Sequence, residues 1–278
     1  MYRLFLGLLL MLIAAAPVFP KNIYDDLRLE GANGNQSPTN LPAKKYGTPY
    51  FYDMEKYLKG YGKTYFLYVD KKVNKLYLMD KNLKIWKKYP VSTGMREGDK
   101  LYSNDYKTPA GVYLVKEIYQ YHEPWYMASI RDKIKILPEG SKTRELYVKY
   151  YEKLEAAYKQ GVKRIKALNG VYLRAKDGHV RYGTGQSLGY NSYGPVFIRL
   201  DFPNEGDYAK YEEAKDEGLI PRKPDLNYKG LGGGIAIHGT NDNASLGFRA
   251  SAGCVRMRND AIREVSDYIM QGTLVIID

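Results

Sequence analysis

The period of apolar and polar positions changes several times along the chain. Leu4 to Ala16 is an uninterrupted apolar run, whereas Gly31 to Asn40 is polar and rich in turn formers, a composition that buries little surface. Tyr50 to Tyr61 is aromatic enough to pack against something and suits a short helix. From Lys63 the texture becomes β. Thr64–Asp70, Lys75–Asp80 and Leu83–Val91 are rich in β-branched and aromatic residues, with compact polar turns at Lys71–Asn74 and Lys81–Asn82 between them. Short strands joined by such turns predict an antiparallel meander. Another strand, Gly111–Lys116, follows the break at Thr108-Pro109. Between about 119 and 194 the period shifts: Tyr147, Tyr151, Leu154, Tyr158, Val162 and Ile165 recur at spacings of three and four, the mark of an amphipathic helix. That stripe either packs on the sheet or offers a binding face. β texture returns at Val196–Asp201 and Gly234–His238. A helix capped by Asn259 or Asp260, with Ile262, Val265 and Ile269 on one face, stops at Gly272. Thr273–Asp278 then reads as a buried strand. The expected class is mainly β with an α insertion and a C-terminal helix–strand unit.

Composition narrows the field. The 278 residues suffice for one large domain or two modest ones, and 44% hydrophobic content excludes a disordered chain. One Cys excludes a disulfide framework and Cys-based zinc or iron–sulfur sites. Three histidines leave little for a multi-His metal centre; carboxylate metal sites stay open, although no EF-hand spacing appears. Lys and Arg number 43 against 31 Asp and Glu, but they are scattered, as at Lys71-Lys72, Lys87-Lys88 and Lys163-Arg164. No nucleic-acid motif accompanies them, so nucleic acid is not the expected partner; anionic cell-wall polymers or phospholipid headgroups suit a solvated basic surface. Met1-Tyr2-Arg3, the apolar run and Ala14-Ala15-Ala16 form an export signal over 1–16. The run is short for a spanning helix, which needs ~20 residues, so an uncleaved anchor is the alternative. Membrane contact is expected only through that signal or anchor, and no Cys follows it for lipid attachment. Residues 17–60 read as a connector and 61–278 as the main domain, with 119–194 as an insertion. The expected location is exported, in the periplasm or cell wall.

Three stretches carry candidate chemistry. Gly185-Gln186-Ser187-Leu188-Gly189 matches a nucleophile elbow, but neither flank supplies the required strand and helix. Gly232-Gly233-Gly234 lacks the Gly-Lys-Ser/Thr of a phosphate loop. Cys254, in Ser251-Ala252-Gly253-Cys254-Val255-Arg256-Met257, is more suggestive. A lone Cys is commonly a small buried hydrophobe. Here Gly253 permits close backbone approach, and Arg256 adds charge that favours the thiolate. A Cys nucleophile needs a base; His238 ends a strand upstream across an irregular loop, and by itself would read as a structural residue. His122 and His179 lack comparable context and read as surface or packing residues.

His238-Gly239-Thr240 together with Ser251-Ala252-Gly253-Cys254-Val255-Arg256 resembles the signature of L,D-transpeptidases with the YkuD-type catalytic domain. Tyr89–Gly94 and Thr108–Tyr113 are similar to that family's early strands. The likeness covers about 63 to 278 and departs at Ala252, where members often carry His. The resemblance implies a YkuD-like β-sandwich or barrel acting on peptidoglycan stem peptides without a cofactor. It implies Cys254 as nucleophile, His238 as base and the Gly239 carbonyl as orienter of His238. Gly253 would contribute to holding the oxyanion. Ser251 would serve either as a site hydrogen-bond partner or as a turn residue, and Arg256 would either bind the donor carboxylate or brace the loop. An amine acceptor would make the protein a transpeptidase and water an L,D-carboxypeptidase; a non-catalytic wall-binding module is the alternative from another class. The 119–194 segment would be either a lid or a packing element remote from the site.

Overall fold

The computed structural model describes residues 54–278. The export signal and the connector up to residue 53 lie outside the described residues. A short helix, α1 (Met54–Leu58), comes first, followed by the antiparallel strands β1 (Tyr65–Asp70), β2 (Lys75–Asp80) and β3 (Ile85–Pro90). Almost every side chain of β1 is buried, so this strand belongs inside a sheet covered on both faces. β3 is exposed except at Tyr89, and its Lys87 and Lys88 suit an edge that must not pair with another chain.

β4 (Thr93–Gly94) and β5 (Gly111–Gln120) follow. Two helices, α2 (Trp125–Ile136) and α3 (Lys142–Asn169), then lead through an irregular segment to β6 (Val196–Leu200). After α4 (Glu205–Asp216) come β7 (Ala236–Gly239), β8 (Arg249–Ser251), β9 (Val255–Met257), α5 (Asn259–Ser266) and β10 (Leu274–Ile277). The main sheet has eight strands in the order β3-β2-β1-β10-β5-β6-β7-β9. β10 lies parallel to β1 and antiparallel to β5, which places four consecutive buried apolar residues at its centre. The two ends of the sheet approach each other, because Ser92, just past β3, exchanges backbone hydrogen bonds with Arg256 of β9 at 2.9 and 2.8 Å. The sheet is thus nearly closed, as a barrel-like fold requires.

Leu67, Leu76, Val91, Ile198, Ile237, Val255, Ile262 and Val275 belong to the main core, and Phe66, Met79 and Ile276 pack on the other face beneath α1. The stripe predicted over 147–165 does pack on the sheet: Ile165 is fully buried against Phe197 and Ala236, beside Tyr119, Tyr193 and Cys254. Gly161 allows this approach, since a Cβ there would meet the Ile118 carbonyl at 3.0 Å. β5 extends to Gln120, so the segment expected as an insertion from 119 leaves the sheet only after that residue.

Candidate active site

β7 and β9 are neighbouring parallel strands that place His238 opposite Arg256. The turn before β9 carries Cys254. Both Cys254 and His238 line one cavity of about 190 Å³, together with Lys100, His179, Ser192, Tyr193, Ser251 and Arg256. The Gly232-Gly233-Gly234 stretch forms part of the wall, and the Cys254 thiol donates to the Gly234 carbonyl at 3.5 Å.

His238 is held tightly. It is 3% exposed, its ring stacks on Phe197 directly across the β6–β7 pair, and Tyr193 packs against both rings, 5.0 Å from His238 and 5.6 Å from Phe197 between centroids. His238 Nδ1 lies 2.6 Å from the Gly239 carbonyl. A carbonyl only accepts, so Nδ1 carries the proton and a neutral ring presents a lone pair at Nε2. Burial, reinforced by the Arg256 charge and opposed by the Gly239 hydrogen bond, pushes His238 down to about 3. The ring is therefore neutral at physiological pH.

Desolvation raises the Cys254 thiol above its usual value; a backbone hydrogen bond with Ala236 and the charges of Arg256 and Lys100 pull the other way. Arg256 thus acts in the direction the sequence suggests, but the protein around the sulfur outweighs it. By surface area Cys254 is only partly buried, while protein atoms crowd it closely enough to desolvate the anion. The resting pair is a thiol and a neutral imidazole.

The loop before Cys254 is braced internally. Gly253 has φ +138°, and a Cβ there would stand 2.9 Å from the Lys107 carbonyl; only Gly fits. Its N–H donates to Ser251 Oγ at 3.1 Å, and Ser251 Oγ donates to the Cys254 carbonyl at 2.5 Å. The Gly253 N–H, expected to help hold an oxyanion, is engaged by Ser251 Oγ in this turn. Ser251 also uses its hydroxyl within the turn, which is its packing role. Thr108, which the sequence places only in an early strand, has an Oγ1 that accepts from Gly94 N–H and donates to the Gly253 carbonyl, both at 2.8 Å, which ties the Cys loop to β4.

Arg256 is 4% exposed. Its Nη2 donates to the Gly178 carbonyl at 2.6 Å, so it braces the inserted segment, while Nη1 has no hydrogen-bond partner. The segment is far from remote. Leu173, Gly178, His179, Leu188, Ser192 and Tyr193 all form cavity wall, and Asn241 Nδ2 fastens it from outside by donating to the Leu188 and Tyr190 carbonyls at 2.7 and 2.8 Å. His179, read from sequence as a surface or packing residue, stands in the wall because this segment folds back over the site. His122 does not; it lies against Ser266, at 3.1 Å. Ser187 is paired through a β-bridge with Val180 in an irregular loop, without the strand and helix a nucleophile elbow needs. Among the described residues, no three His, Cys, Asp or Glu side chains gather in a way that would hold a metal.

Comparison with known proteins bears on this arrangement. The profile of the L,D-transpeptidase catalytic domain, YkuD, matches residues 64–277. The probable L,D-transpeptidase ErfK/SrfK of Salmonella typhimurium is 45% identical over 91 residues, 31% of this chain and 28% of the relative. The probable L,D-transpeptidase YbiS of Escherichia coli is 39% identical over 80 residues, covering 26% of each protein. These matches therefore span little more than a quarter of the relatives' length. The solved structure of Bd1075 from Bdellovibrio bacteriovorus is 22% identical with a TM-score of 0.37, covering 78% of this chain and 48% of that one.

Proposed function

The chain belongs to the YkuD family of L,D-transpeptidase catalytic domains, and we propose that it is an exported L,D-transpeptidase working through a thioester on Cys254. One observation carries this reading. The only cysteine of the chain shares a cavity with a histidine whose Nδ1 proton is fixed on the Gly239 carbonyl, so Nε2 is the nitrogen left to accept a proton.

In the proposed reaction, His238 Nε2 takes the Sγ proton as the sulfur attacks the carbonyl of the L-centre that precedes the terminal D-residue of a stem peptide. A C–S bond forms and the carbonyl becomes an oxyanion, held by the backbone N–H of Cys254. Collapse breaks the C–N bond, and His238 returns its proton to the departing amine. The thioester is then attacked by the amine of a second stem, whose proton passes through His238 as the thiol is restored. If water attacks instead, the same residues perform L,D-carboxypeptidase chemistry. A thiol and a neutral imidazole are the correct starting states, since a protonated His238 could not accept. Arg256 holds the inserted segment in place over the reacting atoms. The periplasm or cell wall is the proposed place of action, with the scattered Lys and Arg attracting anionic wall polymers.

The test is product analysis. Wild-type protein given a stem tetrapeptide and an acceptor amine should release the terminal D-residue and form the new amide, and Cys254→Ala should form neither. Equal product from Cys254→Ala would remove the thiol mechanism.

A further inference from the structure

Two of the three histidines, His238 and His179, line the cavity that holds Cys254. The thioester chemistry uses the first and leaves the second without a task. His179 is set over the cysteine turn by its neighbours. Gly178, at φ +71°, packs so closely that a Cβ there would stand 2.6 Å from the Ala252 nitrogen, and its carbonyl accepts from Arg256 Nη2. The His179 N–H donates to the Lys176 carbonyl, and the His179 carbonyl accepts from the Leu188 N–H, both at 2.8 Å. The ring is oriented too. Nδ1 lies 3.1 Å from the Asp177 carbonyl; a carbonyl only accepts, so Nδ1 carries the proton and Nε2 keeps its lone pair. That Nε2 has no hydrogen-bond partner among the described residues, and on a half-buried side chain it is not sealed from solvent.

The second half of the reaction needs an exposed base. An alkyl amine reaches the protein as an ammonium, since its proton leaves near pH ~10.4 in water, and an ammonium has no lone pair for attack. The cavity wall carries Lys100 and Arg256 and, among the described residues, no carboxylate. Nothing there holds an ammonium, and burial beside like charge lowers its pKa toward that of an imidazole. Proton balance makes the same demand: ammonium plus thioester gives amide, thiol and one proton for solvent. His238, 3% exposed, is closed off from water. His179 is not. Burial holds its ring below the ordinary range, aided by the Lys176 and Arg256 charges and opposed by the Asp177 hydrogen bond, so it stands neutral and able to accept.

We propose that His179 Nε2 takes the ammonium proton of the acceptor amine and passes it to solvent, so that a neutral amine attacks the Cys254 thioester. This rests on the thioester reading of the site. Two protons leave the nitrogen in turn. The first goes through His179 to water. After the C–N bond forms, the second passes through His238 to sulfur as the C–S bond breaks. Attack by water needs no first step, so His179 bears on the choice between cross-linking and hydrolysis. The inserted segment thereby supplies a catalytic group and not only a wall.

The experiment compares the full chain with its His179→Asn variant, whose amide N–H can still reach the Asp177 carbonyl but which offers no base. Each is given a stem tetrapeptide and one of two nucleophiles at neutral pH: an alkyl amine, which arrives protonated, or hydroxylamine, which arrives neutral. Mass spectrometry counts acyl-Cys254, the new amide or hydroxamate, and the hydrolysed tripeptide. In His179→Asn the ratio of alkyl amide to hydrolysed product should fall at least about tenfold, the low end of what loss of a general base costs. The hydroxamate ratio should stay within about twofold, which also shows that the variant is folded. An equal loss for both nucleophiles, a matching loss of acyl-Cys254, or an unchanged alkyl amide ratio would overturn the role of His179. Wild-type protein that acylates Cys254 and yields only hydrolysed product also overturns it and leaves the thiol mechanism standing. Wild-type protein that never acylates Cys254 removes the thioester reading and this inference with it.

Discussion

His238 shows how much a single side chain's surroundings decide. Its identity and its neighbour Gly239 were legible in the sequence, because a Cys nucleophile needs a base and few histidines were available. Its protonation state was not legible, since it depends on Phe197 and Tyr193 closing over the ring and on Arg256 standing opposite it across the β7–β9 pair. The consequence is a pH profile. An ordinary histidine loses its basic form as pH falls below about 6.5; with His238 pushed down to about 3, the neutral ring persists through the mildly acidic range. The rate of Cys254 acylation should therefore stay level between pH 7 and 5, where an unperturbed base would lose more than tenfold (about 1.5 pH units below that pKa). His238→Gln should cut acylation by about 10²–10⁴ throughout. A tenfold decline of the wild type centred near pH 6.5, measured by rapid-quench mass spectrometry, would show that the ring is not buried neutral. Gly253 and Ser251 teach the opposite lesson: their residue types invite a catalytic role, but the hydrogen bonds they make to each other and to Cys254 are internal to the turn.

Among the elements, strands and amphipathic helices were read well because each buries an apolar face with a regular period. The meander and the Ile165 stripe follow that rule, and so does the terminal helix–strand unit except at the helix ends. α5 stops at Ser266, short of Ile269 and Gly272, and its cap position is Arg258, with Asn259 Oδ1 accepting from the Thr240 N–H instead. α4 gave no such signal. Its buried positions are Asp207, Lys210 and Ala214, and it docks through charge. Lys210 Nζ sits 2.8 Å from Asp99 and 3.3 Å from Asp207, all three nearly inaccessible, while Asn204 and Asp207 close a capping box at its start. A polar docking face is invisible to periodicity. Lys210→Ala should strip two buried carboxylates of their cation and cost about 3–5 kcal/mol in chemical denaturation; a loss under 1 kcal/mol would mean the charges are not truly desolvated. The inserted segment was likewise beyond the sequence, since Gly- and Tyr-rich loops carry no period to place them. Asn169, at the end of α3, is what orders it, through Tyr193 and Gly194. Asn169→Ala should lower tetrapeptide affinity several-fold while iodoacetamide labels Cys254 at nearly the wild-type rate. Unchanged affinity would mean that the segment's position does not depend on this residue.

Considered whole, the molecule brings distant parts of the chain to one cavity by nearly closing its sheet. The bridge between Ser92 and Arg256 joins the ends of the strand order, and β10, from the C-terminal end, completes the centre between β1 and β5. Lys100, the inserted loop, the glycine-rich stretch and the Cys turn thereby surround a single space. Local patterns predicted the strands but not this closure, because registry between β3's exit and β9 is set by two backbone hydrogen bonds and by no sequence period. The most direct measurement is to trap the intermediate: mix the protein with a stem tetrapeptide, quench in acid and map the adduct by peptide mass spectrometry. The acyl group, lacking the terminal D-residue, should sit on the peptide containing Cys254, and the adduct should vanish in His238→Gln. Release of the D-residue with Cys254 unmodified, and undiminished in Cys254→Ala, would contradict the thioester mechanism.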